Sequence, residues 1–342
     1  MRKSFSKLKK SLELPNLMDV QLESYDWLLN EGITEILDEL GTVEDYSGRG
    51  WILTLSEPTV EKENISVEEA IHAGRTFDAP WYLKATLKDT INKKKKEQKI
   101  YMGDIPLMTE NGTFIINGVE RVIINQLIRS EGVLFTGDIN PTTGQFLGGA
   151  KVLPKNGAWL EIETSRRGVI NVKIDRKRKM TITTLLRIFG LESDDDIREA
   201  FTSVETNPEV DYTENTLAKD PSENFNDACL EVYRKQRPGE PLVLENAKEY
   251  VKTLFFNPRR YSLGEVGRFK LNQTLGLDFP NEEEYRLLQL EDLIQIIKKI
   301  IQLNNGVGEV SDVDNLGNRR VKRVGELLQW QMRIGFLRME KN

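Results

Sequence analysis

The stretch Trp159-Leu-Glu-Ile-Glu-Thr-Ser-Arg-Arg-Gly-Val-Ile-Asn-Val-Lys-Ile174 decides the class of fold. Apolar and polar residues alternate on both sides of Ser165-Arg-Arg-Gly168, and this tetrapeptide suits a tight turn. The pattern therefore predicts two paired strands joined by a turn. Strand patterns also occur at residues 51–55 and 80–87.

The stretch from residue 93 to residue 150 is predicted to be mainly β-structure followed by a loop. Residues 93–96 are four consecutive lysines, which fit a hairpin tip or an exposed sheet edge, because edge lysines deter unwanted pairing. Residues 100–135 are the most β-like part of the chain, with turn signals at Asn111-Gly112 and Asn117-Gly118. Residues 136–150 are rich in Gly and Thr and contain Pro141, so they predict a loop.

Helical periodicity occurs elsewhere in the chain, at residues 17–28, 181–191, 225–234, 244–255, 290–301 and 324–339. Residues 192–226 are polar and acidic and predict a variable connector. Hairpins and separate helices together favour an α+β fold. The last helix reaches Asn342 without a cap or polar tail, so we expect a chain cut within a larger structure.

Length and composition limit the classes of protein that are possible. A chain of 342 residues with 30% charged and 39% hydrophobic residues suggests two globular domains and excludes collagen, a simple coiled coil and a wholly disordered chain. One cysteine, Cys229, and one histidine, His72, are too few for a disulfide scaffold or a Cys/His zinc site. No apolar run is long enough to span a bilayer, and no h-region follows the basic residues 1–10. We therefore expect a soluble cytoplasmic protein with no membrane partner, and His72 is expected to be a surface or turn residue.

Motifs for a self-contained active site are missing from the sequence. The segment from Asp312 begins like a calcium loop, but its fifth position is Leu316 and its twelfth is Arg323. A Walker A motif, a dinucleotide fingerprint and a nucleophile elbow are also absent. The sequence therefore gives no positive sign of a self-contained active site.

Cations gather around the predicted hairpin. Within fourteen residues seven cations face one acid, Asp175, and the cations are Arg166, Arg167, Lys173, Arg176, Lys177, Arg178 and Lys179. Arginine binds phosphate in a bidentate manner, and an exposed indole such as Trp159 stacks on unpaired bases. Further basic groups are Arg259, Arg260, Arg268 and Lys270, and Arg319, Arg320, Lys322 and Arg323. This pattern predicts a nucleic-acid surface; the alternative is a solvated charged surface with Trp159 in the core.

Six runs resemble the β subunit of bacterial RNA polymerase, in the order in which that family carries them. They are residues 15–27, 101–122, 165–180, 232–241, 266–272 and 312–321, among them Val266-Gly-Arg-Phe-Lys-Leu-Asn272 and Asp312-Val-Asp-Asn-Leu-Gly-Asn-Arg-Arg-Val321. The resemblance spans nearly the whole chain and covers about the N-terminal third of a typical β subunit.

The resemblance implies two mixed α/β lobes, the second inserted into the first. The β1 lobe, or protrusion, would comprise residues 1–128 and 311–342, and the β2 lobe would comprise residues 129–310, with the acidic connector at 192–226. Together they would form one jaw of the DNA cleft of a DNA-directed RNA polymerase, a nucleotidyltransferase associated with the nucleoid. Implied partners are DNA, nascent RNA, the subunits β′, α and ω, and a sigma factor. The catalytic Mg²⁺ would be held by β′, so this chain alone would be inactive and would carry no cofactor.

The resemblance also implies roles for individual residues. Trp159 matches a tryptophan that stacks on an unpaired non-template base, and Asp314 matches an aspartate that accepts hydrogen bonds from a flipped guanine. Arg129, Val313 and Arg319 match the other members of that guanine pocket. The alternative for Asp314 is an aspartate that caps a turn.

Two further sites follow from the resemblance. Arg121, Ile124 and Gln126 match the edge of a rifamycin pocket beside the path of nascent RNA, although the sequence pattern alone would place Ile124 in the core. Lys96, Glu97 and Gln98 match an edge strand that receives Tudor-like domains of a transcription-repair coupling factor or related regulators. Strand addition is a known mode of recognition, and the alternative is that the lysines only guard the edge.

The sequence departs from the family pattern at three positions: Glu131 replaces Pro, Asn315 replaces His, and Trp330 replaces Asn. Glu131 places an acid two residues from Arg129, so we expect it to weaken contacts with phosphates or bases nearby. Two other functions compete with the jaw. One is an isolated β1-lobe interaction module for a coupling factor, and the other is a self-contained nucleic-acid enzyme, which no metal-binding constellation in the sequence supports.

Overall fold

The computed structural model describes residues 16–45 and 50–341. The basic residues 1–10 and the end of the chain at Asn342, on which two of the expectations rest, lie outside the described residues. The helices are α1 (Asp19–Trp27), α2 (Ile33–Leu40), α3 (Val67–His72), α4 (Ile182–Phe189), α5 (Asp194–Phe201), α6 (Tyr212–Leu217), α7 (Phe225–Gln236), α8 (Leu244–Phe255), α9 (Gly264–Leu275), α10 (Leu290–Asn304) and α11 (Val324–Lys341). The strands are β1 (Thr42–Glu44), β2 (Trp51–Val60), β3 (Asp78–Asp89), β4 (Lys94–Pro106), β5 (Phe114–Ile116), β6 (Val119–Arg121), β7 (Gln126–Arg129), β8 (Gly132–Ile139), β9 (Phe146–Leu153), β10 (Leu160–Thr164), β11 (Ile170–Ile174), β12 (Met180–Thr181) and β13 (Arg319–Lys322). Short π-helical and 3₁₀ turns lie at Leu28–Gly32, Glu284–Arg286 and Leu316–Asn318.

The chain forms two compact units, and the mixture of helices and antiparallel sheets confirms the α+β class. The first unit comprises Met1–Ile128 and Val321–Asn342, and the second comprises Arg129–Arg320. The sequence places the return to the first unit at residue 311, whereas in the structure it falls at 320/321. Residues 311–320 lie with the second unit because the Ser311 N–H donates to the Phe135 carbonyl at 2.8 Å, and the Phe135 N–H donates to Ser311 Oγ at 3.0 Å.

The first unit is built on a four-stranded antiparallel sheet in the order β1-β2-β3-β4. In β3 alternate residues such as Trp81 and Leu83 are buried, as expected for a strand with one solvated face. Helix α2 buries one helical face, and α11 contributes Val324 and Phe336 to the same core. The rings of Trp81 and Phe336 pack edge to face at 6.3 Å between centroids. The core of this unit thus needs residues from both parts of the chain.

The second unit is built on a five-stranded antiparallel sheet in the order β12-β11-β10-β9-β8, with its helices contributing to a core of its own. The predicted hairpin is confirmed: β10 pairs with β11 from Leu160↔Ile174 to Thr164↔Ile170. The predicted helices at 181–191, 225–234, 244–255 and 290–301 are also present as α4, α7, α8 and α10. Strands β7 and β13, where the chain crosses between the units, pair as a two-stranded sheet.

The structure adds to or differs from the expectations at three places in the second unit. Residues 136–150 are not a loop: they contain the end of β8 and most of β9. Strand β9 needs glycine at position 149, because a Cβ there would lie only 2.5 Å from the Ile162 carbonyl oxygen of the neighbouring strand. The connector at 192–226 contains α5 and α6, whose N-termini are capped by Ser193 and Asp211. Helix α9 was not predicted, because the buried charge of Arg268 interrupts its apolar pattern.

Within the part of the chain that the structure describes, no helix is both long and apolar enough to cross a bilayer.

Candidate nucleic-acid interface

The strand register gathers most of the predicted DNA-contacting residues at one end of the sheet in the second unit. Leu160 pairs with Val152, and Val152 pairs with Val133. The starts of β10 and β8 are therefore two strand spacings apart, about 10 Å. Trp159, directly before β10, and residues 129–131, directly before β8, consequently lie at the same end of this sheet.

A tight turn after β11 holds the backbone of Trp159. The Trp159 N–H donates to Asp175 Oδ1 at 2.9 Å, and the Asp175 N–H donates to the Trp159 carbonyl at 2.9 Å. Asp175 and Arg176 have φ values of 51° and 58°, and the Lys177 N–H donates to the Ile174 carbonyl, as in a type I′ turn. Trp159 is thus fixed by its backbone.

The Trp159 side chain lies outside the core. It is half-buried, whereas its neighbours Ala158 and Leu160 are buried in the core of the second unit. The guanidinium carbon of Arg176 lies 5.4 Å from the indole centroid, within cation–π range. The alternative that Trp159 is a core residue is therefore wrong, and an indole with an adjacent cation is left at the surface.

The predicted basic residues do not form one patch. Arg176, Lys177, Arg178 and Lys179 are exposed after β11, at the Trp159 end of the sheet. Arg166 and Arg167 are exposed in the turn between β10 and β11, at the other end of the hairpin. Five residues of strand separate the two groups by roughly 15 Å. A single phosphate cannot bridge them.

Two acids that the sequence window does not reveal lie among these cations. Glu161 and Glu163 share the solvated face of β10, where Lys173 Nζ lies 2.7 Å from Glu163 and Arg176 Nε lies 3.7 Å from Glu161. Lys179 Nζ lies 3.8 Å from Glu163. The period-two alternation of β10 predicts that these acids face solvent, but only the register shows which cations they meet. The basic surface is therefore less positive than the sequence implies.

The side chain of Asp314 has no partner in the described part of the chain. It is exposed in the loop 312–318, and its own N–H donates to Asp312 Oδ1 at 3.0 Å. Asn315 Oδ1 accepts from the Gly317 N–H at 2.8 Å, and Asn318 Nδ2 donates to the Asp312 carbonyl at 2.7 Å. The side chains of Asp312 and Asn315 thus cap this loop. The Asp314 side chain does not cap a turn, so that alternative is wrong.

The loop 312–318 is tied to the start of β8. The Ser130 N–H donates to the Asn318 carbonyl at 2.9 Å, so Arg129 and Arg319, next to these residues, lie close together. Arg129 is exposed and Arg319 is half-buried, as is Val313. All the predicted members of the guanine pocket therefore lie in the second unit, at the end of the sheet that carries Trp159.

Two expected charges are neutralised. Glu131 is buried, and its carboxylate accepts from Arg320 Nε at 2.7 Å, so it does not face Arg129 as an unpaired acid. Arg268, which the sequence groups with surface cations, is fully buried in a bidentate pair with Asp292 at 2.8 Å. Neither Arg320 nor Arg268 therefore adds a free cation to the surface.

The predicted inhibitor-pocket residues lie in the first unit. Arg121 ends β6, Gln126 begins β7, and both are exposed. Ile124 lies between these strands and is 78% exposed. The sequence pattern alone, which places Ile124 in the core, is wrong.

Lys96, Glu97 and Gln98 lie on β4, a terminal strand of the four-stranded sheet, and are all exposed. The sequence places the four lysines at a hairpin tip or on a sheet edge, and the structure shows both. Lys93 lies in the turn between β3 and β4, and the next three lysines are the first residues of β4. Hydrogen bonding and charge from Lys95, with the nearby Lys84, hold the pKa of Glu97 below its usual value. The edge strand is thus charged, and its one acid in this stretch, Glu97, is paired with Lys84 and Lys95.

A metal site is not apparent. In residues 16–45 and 50–341, no group of three or more Asp, Glu, His or Cys side chains is placed to hold a metal ion. His72 is exposed at the end of α3, as predicted for a surface residue.

Comparison with known proteins identifies a consistent set of relatives. The family model for RNA polymerase Rpb2, domain 2, matches residues 152–322. The chain is similar to DNA-directed RNA polymerase subunit beta of Chloroflexus aggregans, with 41% identity over 99% of this chain and 30% of that protein. It is also 42% identical to the subunit of Syntrophomonas wolfei, over 99% of this chain and 30% of that protein, and 40% identical to that of Dehalococcoides mccartyi, over 100% of this chain and 27% of that protein. The chain thus spans about 30% of the length of these curated relatives.

Proposed function

Since the chain belongs to the β-subunit family of bacterial DNA-directed RNA polymerase and matches its N-terminal region, we propose that it forms one jaw of the DNA cleft in the assembled enzyme. In this role it binds downstream and non-template DNA, with β′, α, ω and a sigma factor as the other components. Nucleotidyl transfer takes place at Mg²⁺ held by β′, and this chain alone is inactive. An isolated interaction module is not favoured, because the whole chain matches polymerase subunits.

One observation carries the DNA-binding proposal: the half-buried Trp159 indole and the Asp314 carboxylate, which has no partner among the described residues, share one end of the sheet in the second unit. The Trp159 indole offers a face for stacking, worth about 1–3 kcal/mol per base. The Asp314 carboxylate is an acceptor suited to the N–H donors on the Watson–Crick edge of guanine. Arg129 and Arg319, placed beside the loop 312–318, supply positive charge for the adjacent phosphates.

The test uses assembled polymerase carrying Trp159→Ala or Asp314→Ala in β. Loss of stacking shortens the lifetime of the promoter open complex about 5-fold or more for Trp159→Ala. Asp314→Ala removes the preference for guanine at one non-template position, so its effect depends on the template. Nucleotide addition on a preformed elongation scaffold stays close to wild type for both variants.

The matched control is Asp138→Ala, an exposed acid at the opposite end of the same sheet. It removes the same charge without touching the proposed site, and we expect wild-type lifetimes. An equal loss with Asp314→Ala on every template, whatever the non-template base, would contradict the guanine contact.

The first unit is proposed to serve regulators and the RNA path. The charged edge strand β4 supports docking of a Tudor-like domain of a coupling factor by strand addition. The exposed Arg121, Ile124 and Gln126 support a position beside nascent RNA. Proline removes one backbone N–H from a strand, and the N–H groups of successive residues point to opposite edges. One of Gln98→Pro and Glu97→Pro therefore removes an N–H on the free edge of β4, and that variant is expected to weaken a pull-down of such a domain. Unchanged capture by both variants would exclude strand addition at these residues.

A further inference from the structure

A small polar cavity adjoins the loop that carries Asp314. Its volume is about 200 Å³, below the roughly 300–1,000 Å³ of pockets for drug-sized ligands. One wall is α9, through Lys270, Gln273 and Thr274, and the other is the turn, through Asn315, Gly317 and Asn318. A space of this size and polarity suits one planar, hydrogen-bonding group.

The chemistry of the walls matches a nucleobase with its phosphate. Gln273 offers a whole amide, Asn315 keeps its Nδ2 donors and Asn318 keeps its Oδ1 acceptor, so the walls present both donors and acceptors, as base edges require. Lys270 Nζ donates to the Gly317 carbonyl, which leaves two of its three N–H donors for a phosphate oxygen. The acid in the lining, Glu131, is paired with Arg320 and does not repel an anion as an isolated carboxylate would.

The helix that forms one wall of the cavity also carries an exposed aromatic side chain. Phe269 is 65% exposed on α9, and its ring contacts no other aromatic ring in the described part of the chain. Residues 269 and 273 are four positions apart on α9, so their side chains share one face of the helix, and Gln273 lines the cavity. An exposed phenyl ring next to a polar cavity and a lysine is the combination that binds unpaired bases.

We infer that Phe269, Lys270 and the cavity between α9 and the turn at 315–318 form a second base-binding subsite, which takes one unpaired nucleobase of single-stranded DNA. The inference rests on the proposed function, because the subsite extends the surface formed by Trp159 and Asp314 at the same end of the sheet. Phe269 stacks on the base, the wall amides meet its edge, and Lys270 meets its phosphate.

The test titrates the 342-residue chain into a short single-stranded DNA that carries 2-aminopurine, whose fluorescence falls on stacking. Phe269→Ala is expected to weaken binding at least about 5-fold and to restore fluorescence in the bound state. Lys270→Gln is expected to lower the dependence of log Kd on log salt by about one phosphate contact. Because Phe269 is largely exposed, its removal leaves the fold intact, and circular dichroism checks this.

Val307→Ala is the matched control, since Val307 is an apolar residue of the second unit, 61% exposed, that follows α10 and does not line the cavity. We expect its affinity to stay within 2-fold of wild type. Trp159→Ala in the same assay separates the two proposals. Weaker binding with Trp159→Ala but not with Phe269→Ala overturns the subsite alone, and no effect of either overturns the DNA-binding role as well. Loss of subunit assembly by Phe269→Ala, with unchanged DNA affinity, would make this face a protein contact and also overturn the subsite.

Discussion

Arg268 and Asp292 show what a buried charge requires in the second unit. Both are fully buried, with two hydrogen bonds between them, and Arg268 also donates to the carbonyls of Tyr285 and Leu287. Removing one partner of such a pair leaves an uncompensated charge in the interior. The pair is therefore structural, although the sequence groups Arg268 with surface cations.

We expect Arg268→Met to lower the free energy of unfolding of the second unit by about 3–5 kcal/mol, because Asp292 then lacks its counter-ion. Urea unfolding followed by circular dichroism measures this. Arg286→Met is the control, since Arg286 pairs with the exposed Glu265 at 2.9 Å and such pairs contribute at most about 1 kcal/mol. If the two variants were equally stable, the buried pair would have no special role.

Cys229 provides a pH-dependent test of burial in the same core. Burial raises the pKa of its thiol to about 11, from an ordinary value of about 9. Between these values the folded protein keeps a proton that the unfolded chain loses, so stability is complete below about pH 9 and falls as pH rises toward 11. The loss from this one group is about 2–3 kcal/mol.

The measurement compares wild type with Cys229→Ala across pH 8–11. The variant starts less stable, because it leaves a cavity, but it should lack the part of the pH-dependent loss that the thiol causes. At pH 8 the folded wild type should react slowly with a thiol reagent and rapidly in urea. Parallel stability profiles for the two proteins would contradict the raised pKa.

Among the elements, helix α11 contains two glycines in opposite surroundings. A Cβ on Gly325 would lie 2.0 Å from the Ser24 carbonyl oxygen, and the Gly325 N–H donates to Ser24 Oγ at 3.0 Å. A Cβ on Gly335 would meet no atom within 4 Å. The close approach of α1 and α11 in the first unit thus depends on one glycine and not on the other.

We expect Gly325→Ala to destabilise the first unit by several kcal/mol, because α1 and α11 must move apart. Gly335→Ala, on the same helix, should instead add about 0.5–1 kcal/mol through helix propensity. Thermal unfolding can be followed by tryptophan fluorescence in a Trp159→Phe background, because the other four tryptophans, Trp27, Trp51, Trp81 and Trp330, belong to the first unit. Equal melting temperatures for the two variants would show that the helices do not pack this closely.

Sequence patterns predict the elements in which hydrophobic periodicity matches the side chains that the fold buries. The hairpin at 160–174 and helix α10 have clear periodicity and appear where expected. Strand β9 was missed because Gly148 and Gly149 signal a loop, while pairing with β8 and β10 overrides that preference. Long-range pairing is also why the sequence could not show Glu161 and Glu163 next to the basic turn.

The residues of the candidate site come from the family resemblance and not from local sequence patterns. Trp159, Asp314 and Arg129 were named from resemblance to a family, and the strand register brings them to one end of a sheet. Phe269 and Lys270 were not predicted as a site, because their partner across the cavity lies more than 40 residues away in the sequence. Nothing in the local sequence signals that proximity.

On the scale of the whole molecule, each unit has a core of its own. The residues of the larger core all fall within 133–303, and those of the smaller core fall within 25–114 and 324–336. Because the second unit is also continuous in sequence, residues 129–320 expressed alone should unfold in one cooperative transition. Urea titration followed by Trp159 fluorescence and by circular dichroism tests this, and non-coincident curves would show that the unit depends on the rest of the chain.

The charge distribution predicts weak, salt-sensitive DNA binding. The net charge is −6, and Glu161 and Glu163 offset nearby cations, so few phosphates are contacted. For about three contacts with single-stranded DNA, affinity should fall roughly 20-fold between 50 and 200 mM salt. Fluorescence anisotropy at several salt concentrations measures the slope, and binding that does not change with salt would contradict a phosphate-contacting surface.

The discontinuous first unit has a consequence for the order of events on the ribosome. Val324 and Phe336 complete its core, so the sheet must wait until Val324, about 220 residues beyond the end of β4, has been translated, and α1 and α2 wait longer still. At about 5–20 residues per second, this delay lasts tens of seconds. The inserted unit, translated during that interval, matures first, and nascent α1 and β3 remain unfinished and open to chaperones for longer than any later segment.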